Sequence, residues 1–529
     1  MAVRRLALTI GSVLVMVAGV VSAAGTASAS TSRLAPRFDC ATRGSLCAEV
    51  ADSEQAFGEG QYVGHDEPSL LWYSNQPGSG NRMRYSMTLP TEPPPAPAPG
   101  TRSYTFQLTV ADWFGMAMCD TESYPETVHT CTPDSDTNIA APTDPRHAGT
   151  AFMELQFYPP GWTPWPAGVS CAARQWCAAL TIDSLSLNPV TGQENNKACL
   201  DTVGIEPVNF AFLTRDGRAQ APANPVDATA ATYTPDLSRD LAMNPGDQLS
   251  ITLHDTPAGL TTLVQDETTG LSGAMTASLA NGFGQVIFNP TGSKCRVRPY
   301  AFHPMYSTSS PQTRVPWAAH TYNIAFDAEI GHFDYCTRVR HTLASCAGRE
   351  GPNAVEPTDA DDNGCFPAAD SLLVKVSGCI DSNEGFDGTS YLPDWPDGNR
   401  ELHPTPTFFT SPTTGGEYRD NYTRAAFETD TPRIEDGSLA DNCDRFTGHG
   451  CTLIPITDDN KPAAFYPWFS SGTQGTQCTW TIGQDVPRFT TNDYGGIRQY
   501  GSLLRVNYID EPRFNDFRNI LPTNPCPAG

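Results

Sequence analysis

The stretch Phe152-Met-Glu-Leu-Gln-Phe-Tyr158 alternates its side chains with a period of two. Successive side chains of an extended strand point to opposite faces of a sheet. Met153, Leu155 and Phe157 therefore share one face, while Phe152, Glu154, Gln156 and Tyr158 share the other. The first is a core face. The same period recurs in Tyr104-Thr-Phe-Gln-Leu-Thr-Val110, Ser250-Ile-Thr-Leu-His254 and His320-Thr-Tyr-Asn-Ile-Ala-Phe326. Turn chemistry separates such runs, as in Gln76-Pro-Gly-Ser-Gly80, Arg215-Asp-Gly217, Asn244-Pro-Gly246 and Pro396-Asp-Gly398. No long capped helical pattern interrupts them. The pattern predicts an all-β fold: an antiparallel sandwich or barrel, with long loops and little helix.

Composition agrees. The 529 residues include 46 Pro, 44 Gly and 17% charged residues, a chain rich in turn formers and poor in the charged surface of helical proteins. With 39% hydrophobic residues it has the means to bury a large core. A formal net charge of −25 argues against a nucleic-acid partner, which requires clustered Lys and Arg.

Residues 1–29 read as a secretion signal. Arg4 and Arg5 precede an apolar run from Leu6 to Val21, and Ala27-Ser28-Ala29 fits the small-residue cleavage rule, with Ala24 as an alternative site. The run is shorter than the roughly 20 residues a membrane span needs, and no later segment is apolar enough to span. The expectation is an exported, extracellular protein. All 16 cysteines lie beyond residue 29, and an even number in that compartment predicts a disulfide framework. Nearest-neighbour pairing would join Cys40 to Cys47, Cys119 to Cys131, Cys171 to Cys177, Cys336 to Cys346, Cys365 to Cys379 and Cys443 to Cys451. It leaves Cys199 with Cys295 and Cys478 with Cys526 as longer bridges. Three regions follow the signal: 30–99, ending in the Pro-rich segment Pro90–Gly100; 100–346, the main sandwich; and 347–529, a β-rich region that would pack on the same sandwich.

Gly246-Asp-Gln-Leu-Ser-Ile-Thr-Leu-His-Asp255 and Leu260-Thr-Thr-Leu-Val-Gln-Asp266 read as consecutive strands, closed by Glu267-Thr-Thr-Gly270. This order, within residues 235–300, resembles the concanavalin-A-like jelly rolls of lectins and polysaccharide-degrading enzymes. The resemblance implies an architecture and a leaning toward glycans; it carries no catalytic motif.

The face bearing Glu154, Gln156 and Tyr158 combines a carboxylate, an amide and aromatic rings, residue types that line sugar clefts. Trp162 and Trp165 follow directly and would add stacking surfaces. Asp183, in Leu180-Thr-Ile-Asp-Ser184, is the candidate second acid of a glycosidase or lyase, with Asn209 as a further polar contact. The leading expectation is thus a secreted protein that cleaves an extracellular polysaccharide with paired carboxylates. A lectin-like or surface-binding protein is one alternative. A glutamic-type acid peptidase, in which Glu154 and Gln156 activate water, is another. The simplest alternative is an ordinary exposed sheet face.

Two further clusters stand out. Asp327, Glu329, His332 and Asp334, with His303 and His320 nearby in sequence, would suit a base or a copper or zinc site, at no recognised ligand spacing. The loop Asp359-Ala-Asp361-Asp-Asn363-Gly364, with Asp370 twelfth, follows the pattern of a calcium loop, and predicts a structural Ca2+ held by Asp359, Asp361, Asn363 and Asp370. It departs from that pattern in having Asp at the twelfth position, Pro367 at the ninth and a strand-like run after it. H-E-x-x-H, G-x-S-x-G, P-loop and G-x-G-x-x-G motifs do not occur, which removes support from zincin, α/β-hydrolase and nucleotide-dependent chemistry.

Overall fold

The computed structural model describes residues 69–74, 76–91, 102–103, 112–122, 149–158, 160, 171–172, 174–184, 196–203, 207–304, 317–321, 339–340, 345–346, 375–376, 405–429, 433–434, 452–453, 469–482, 488–494, 502–506, 515–521 and 523–528. The strands of its two large sheets, in chain order, are β1 (Ser69–Tyr73), β2 (Arg82–Thr88), β3 (Asp112–Asp120), β4 (Gly149–Tyr158), β5 (Cys177–Ser184), β6 (Val208–Phe212), β7 (Gln248–Thr256), β8 (Gly259–Asp266) and β9 (Ser272–Thr276). They continue with β10 (Trp317–Thr321), β11 (Thr407–Phe409), β12 (Arg424–Thr429), β13 (Phe469–Gln474), β14 (Gln477–Ile482), β15 (Thr490–Tyr494), β16 (Ser502–Val506) and β17 (Asn515–Ile520).

The first sheet has nine strands in the order β16-β17-β12-β1-β10-β3-β4-β5-β6. The second has ten: β9-β8-β7-β2-β11-β14-β13-β15, with the short pieces Thr413–Thr414 and Asp420–Asn421 attached beside β2. The ladders between these strands are antiparallel. Both sheets draw strands from residues before 100, from the middle of the chain and from beyond 400. Among the described residues, helix is confined to α1 (Lys197–Val203), α2 (Ala230–Tyr233) and one 3-10 turn. Among the described residues no helix is long and apolar enough to cross a membrane.

The sheets pack face to face on the alternating residues that the sequence marks as core. Met153, Leu155 and Phe157 of β4 are fully buried, as are Leu180 and Ile182 of β5. From the second sheet, Met83, Tyr85 and Met87 of β2 and Leu249, Ile251 and Leu253 of β7 meet them in one hydrophobic cluster. Rings join the layers. Phe114 of β3 stacks on Tyr85 at 4.5 Å between centroids and meets Phe409 of β11 edge-on at 5.6 Å; Trp72 of β1 meets Phe409 at 5.7 Å. Each such aromatic pair contributes about 0.5–1.5 kcal/mol beyond the area it buries.

The two consecutive strands read between residues 246 and 266 form as a hairpin, Gln248–Thr256 with Gly259–Asp266. Its turn needs Gly259, which has φ +125° and lies so near the Ala277 carbonyl that a Cβ would stand 2.3 Å from that oxygen. At the other end of β8, Asp266 accepts from the backbone N–H groups of Thr268 and Thr269 at 2.9 and 3.0 Å, closing the Glu267–Gly270 turn.

Three disulfides are described: Cys171–Cys177, Cys199–Cys295 and Cys478–Cys526. All three are pairs expected from the sequence, the first between near neighbours and the other two as the longer bridges. Cys119 is also disulfide-bonded. The Cys199–Cys295 bridge ties α1 to the segment after β9, and Cys478–Cys526 fastens the last described residues to β14.

Candidate functional site

The site is built on β4, two strands from the edge of the first sheet. β3 pairs on one side, Gly115 opposite Glu154; β5 pairs on the other, Thr181 opposite Glu154, Ala179 opposite Gln156 and Asp183 opposite Phe152. Beyond β5, Phe210 of β6 pairs with Thr181 and Phe212 with Ala179. Cross-strand partners share a face. Glu154, Gln156, Tyr158, Asp183 and the two phenylalanines therefore occupy the side of the sheet turned away from the sandwich core.

That side is largely covered. Phe152 is fully buried, Tyr158 is 2% exposed, Asp183 5% and Gln156 6%, while Glu154 is half-buried. The expectation of an open cleft is replaced by a second packed layer. Tyr158, Phe210 and Phe212 form a ring cluster, with Phe210–Phe212 centroids at 4.9 Å, and Tyr233 of α2 covers Phe210 at 5.3 Å. A sheet with aromatic residues on its second face buries both faces.

Within this layer the polar groups form a directed chain. The Tyr158 hydroxyl donates to Oε1 of Gln156, and Nε2 of Gln156 donates to Oε2 of Glu154. Residues at i, i+2 and i+4 of one strand stand in a row, so the pleat alone brings the three together. Burial pushes the Tyr158 hydroxyl well above the ordinary tyrosine range, and the negative charges of Glu154 and Asp183 push it further. Tyr158 thus stays protonated and acts as donor. A donor at Oε1 fixes the amide, turning its NH2 toward Glu154. The Thr181 hydroxyl donates to the Glu154 backbone carbonyl at 3.3 Å, adding a side-chain link between β4 and β5.

Space for this row depends on Gly115. A Cβ there would lie 2.5 Å from the Phe152 ring and 2.7 Å from the Met153 carbonyl oxygen. The ring of Phe152 occupies the room that a side chain at 115 would take, directly across the ladder from Glu154.

The sequence reading thus brings Glu154, Gln156, Tyr158 and Asp183 onto one face. Asp183 sits diagonally from Glu154, a backbone spacing of roughly 7–8 Å in an antiparallel pair. Tyr158 enters as a buried hydrogen-bond donor, not as a stacking platform. Asn209 points the other way. It pairs with Ile182 in the ladder, and its Oδ1 accepts from the Gly284 backbone N–H at 2.9 Å, so it closes the sandwich interior. Val208-Asn-Phe-Ala-Phe212 has one register that buries its phenylalanines with Tyr158, and that register turns Asn209 inward. Gly115, Thr181 and the β6 phenylalanines were missed; the only hint was the alternation of β6 read with opposite parity. Trp162, Trp165, Asp327, Glu329, His332, Asp334, Asp359, Asp361, Asn363 and Asp370 lie outside the described residues. His303 meets Asp255, Nδ1 to Oδ1 at 2.8 Å.

No protein-family model matches the chain, and no curated protein matches it. Among solved structures it is similar to the crystal structure of Scytalido-glutamic peptidase with a peptide-based transition state analog. The identity is 8%, the match covers 79% of this chain and 97% of that one, and the TM-score is 0.20. A superposition of that quality carries no argument about shape or activity.

Proposed function

We propose that the Glu154–Gln156–Tyr158 row is a hydrolytic centre for acyl bonds, and that the protein is an exported acid peptidase of glutamic type. The observation that carries this reading is the bond from the Gln156 amide to the Glu154 carboxylate, with the amide fixed from behind by Tyr158. A carboxylate beside an oriented amide suits water addition to a carbonyl. Glu154 takes a proton from water as the water oxygen bonds to the carbonyl carbon, and the C=O electron pair moves onto oxygen. The Gln156 NH2 carries two hydrogens, of which Glu154 engages one; the second serves the developing oxyanion. Glu154 then returns its proton to the amide nitrogen as the C–N bond breaks, leaving an acid and an amine.

Polysaccharide cleavage needs two carboxyl groups flanking the scissile bond. In this row the group bonded to Glu154 is an amide, which favours the peptidase reading over the pair Glu154 and Asp183. The test is mass spectrometry of soluble products after incubating the mature protein with acid-denatured protein and with a polysaccharide panel. Peptides that accumulate with the wild type and vanish with Glu154→Gln support the peptidase. Oligosaccharides that depend on both Glu154 and Asp183 replace it with the glycosidase. Turnover unaffected by Glu154→Gln removes this row from catalysis.

A further inference from the structure

The outer face of the second sheet brings two arginines close together. Its outward positions on β2, β7, β8 and β9 carry hydroxyls, amides, the guanidinium groups of Arg82 and Arg84 and the imidazole of His254, with Leu263 and Ala274 as apolar positions among them; none is a carboxylate. This occurs in a chain of 58 acidic and 33 basic residues, where a cationic face must be singled out by position. Arg82 stands directly across the ladder from His254, and Arg84 from Thr252.

Both guanidinium groups are held in place without being neutralised. Arg84 donates through Nε and Nη2 to the Ser250 hydroxyl at 3.1 and 3.0 Å. Arg82 lies over the Tyr418 ring, 5.1 Å from its centroid. Neither forms an ion pair among the described residues. A pinned guanidinium has already lost its side-chain entropy, so an anion that meets it faces little further ordering cost. Its fork of N–H donors matches a carboxylate. Arg82 and Arg84 are two residues apart on one strand, so their backbone positions are about 6.6 Å apart, with the Arg84 head turned toward Ser250 and the Arg82 head toward Tyr418.

We propose that this face binds a carboxylate-bearing polysaccharide, its acid groups received by Arg82 and Arg84 and its hydroxyls by Thr252, Thr261 and Gln265. A glycan fits better than an acidic peptide. β2, β7 and β8 have hydrogen-bonded neighbours on both sides, so strand addition, which peptides use at a sheet edge, has no backbone to add to. A sugar chain brings hydroxyls that pair with side chains alone. The overall negative charge does not oppose this at physiological salt, where repulsion from acids elsewhere is screened beyond about 8 Å. The site is separate from the Glu154 row, on the other sheet.

The experiment is native affinity electrophoresis of the mature protein in gels containing polygalacturonate, neutral dextran or poly-glutamate. Polygalacturonate is expected to retard the wild type and dextran is not. Arg82→Gln with Arg84→Gln is expected to weaken that affinity by about tenfold or more, the loss of charge-assisted hydrogen bonds. Thr252→Glu, a change at a half-exposed position, is expected to abolish retardation with the fold retained by circular dichroism; Glu154→Gln is expected to leave retardation unchanged. No retardation of the wild type, or retardation indifferent to both the arginine and Thr252 variants, overturns the proposal. Equal retardation by poly-glutamate overturns the choice of a glycan.

Discussion

Gly115 faces Glu154 across the β3–β4 ladder, and the Phe152 ring lies where a side chain at position 115 would be. The glycine is therefore a spacer for the candidate site and not a turn residue. Gly115→Ala is expected to displace the Phe152 ring and to lower stability by about 1–3 kcal/mol, the usual cost of overpacking a filled interior. Thermal unfolding measures it. If Phe152 reserves that space, Gly115→Ala with Phe152→Leu recovers part of the loss; a double variant no better than the single one refutes the spacer.

Tyr158→Phe removes only the hydroxyl. Oε1 of the buried Gln156 then loses its donor, which costs about 1–3 kcal/mol in stability. The amide is also released to flip, so turnover is expected to fall roughly tenfold with KM little changed. A change confined to KM would mean that Tyr158 contacts substrate and does not orient Gln156.

Glu154→Gln is expected to reduce turnover by roughly 10²–10⁴, the range for removing a general base. Gln156→Ala is expected to cost roughly 10²–10³, as for an oxyanion donor. Single-turnover kinetics on a peptide that the wild type cleaves would separate these losses from altered binding. Equal activity in wild type and Gln156→Ala would leave the amide without a catalytic part.

Asp247 and Asp266 meet side by side where the Asn244–Asp247 turn approaches the end of β8, both nearly fully buried. Burial raises the Asp247 carboxyl above its ordinary range, and the bond to the neighbouring Asp266 carboxyl and its charge raise it further. A folded-state value above the unfolded one adds stability in acid, and that stability is lost as pH rises through the folded value. Asp247→Asn imitates the protonated partner while keeping an acceptor for the Asn244 N–H. It is expected to match the wild type near pH 4 and to exceed it near pH 7 in urea midpoint. Equal midpoints at both pH values would mean that the pair shares no proton.

Cys199–Cys295 closes a sequence separation of 96, against 6 for Cys171–Cys177. In the chain-entropy account the long bridge is worth about 4–5 kcal/mol and the short one about 2. Paired Cys→Ala variants of each, compared by urea unfolding, should differ in that order. A larger loss at Cys171–Cys177 would show that local geometry, not loop length, sets the contribution.

The core was legible because Met153, Leu155 and Phe157 alternate without exception, and the β7–β8 hairpin because turn residues bound it. The partners of β4 were not, since pairing across a sheet leaves no trace in local periodicity. Asn209 shows the cost: its polarity suggests an outward position, but the neighbouring phenylalanines outweigh one amide in choosing the face. The same preference hides the candidate site under aromatic cover, where sequence suggested an open groove. Glu154, Gln156 and Tyr158 were legible together because they share one strand.

The position of β1 has a kinetic consequence. It lies between β10 and β12, whose residues are made far later than residue 73. As the chain emerges from the ribosome, β1 has neither neighbour to pair with. No N-terminal fragment contains a closed first sheet, so folding must await nearly the whole polypeptide. Contacts this distant in sequence make folding slow, and for that interval the aromatic residues of β1 have no sheet to shelter them.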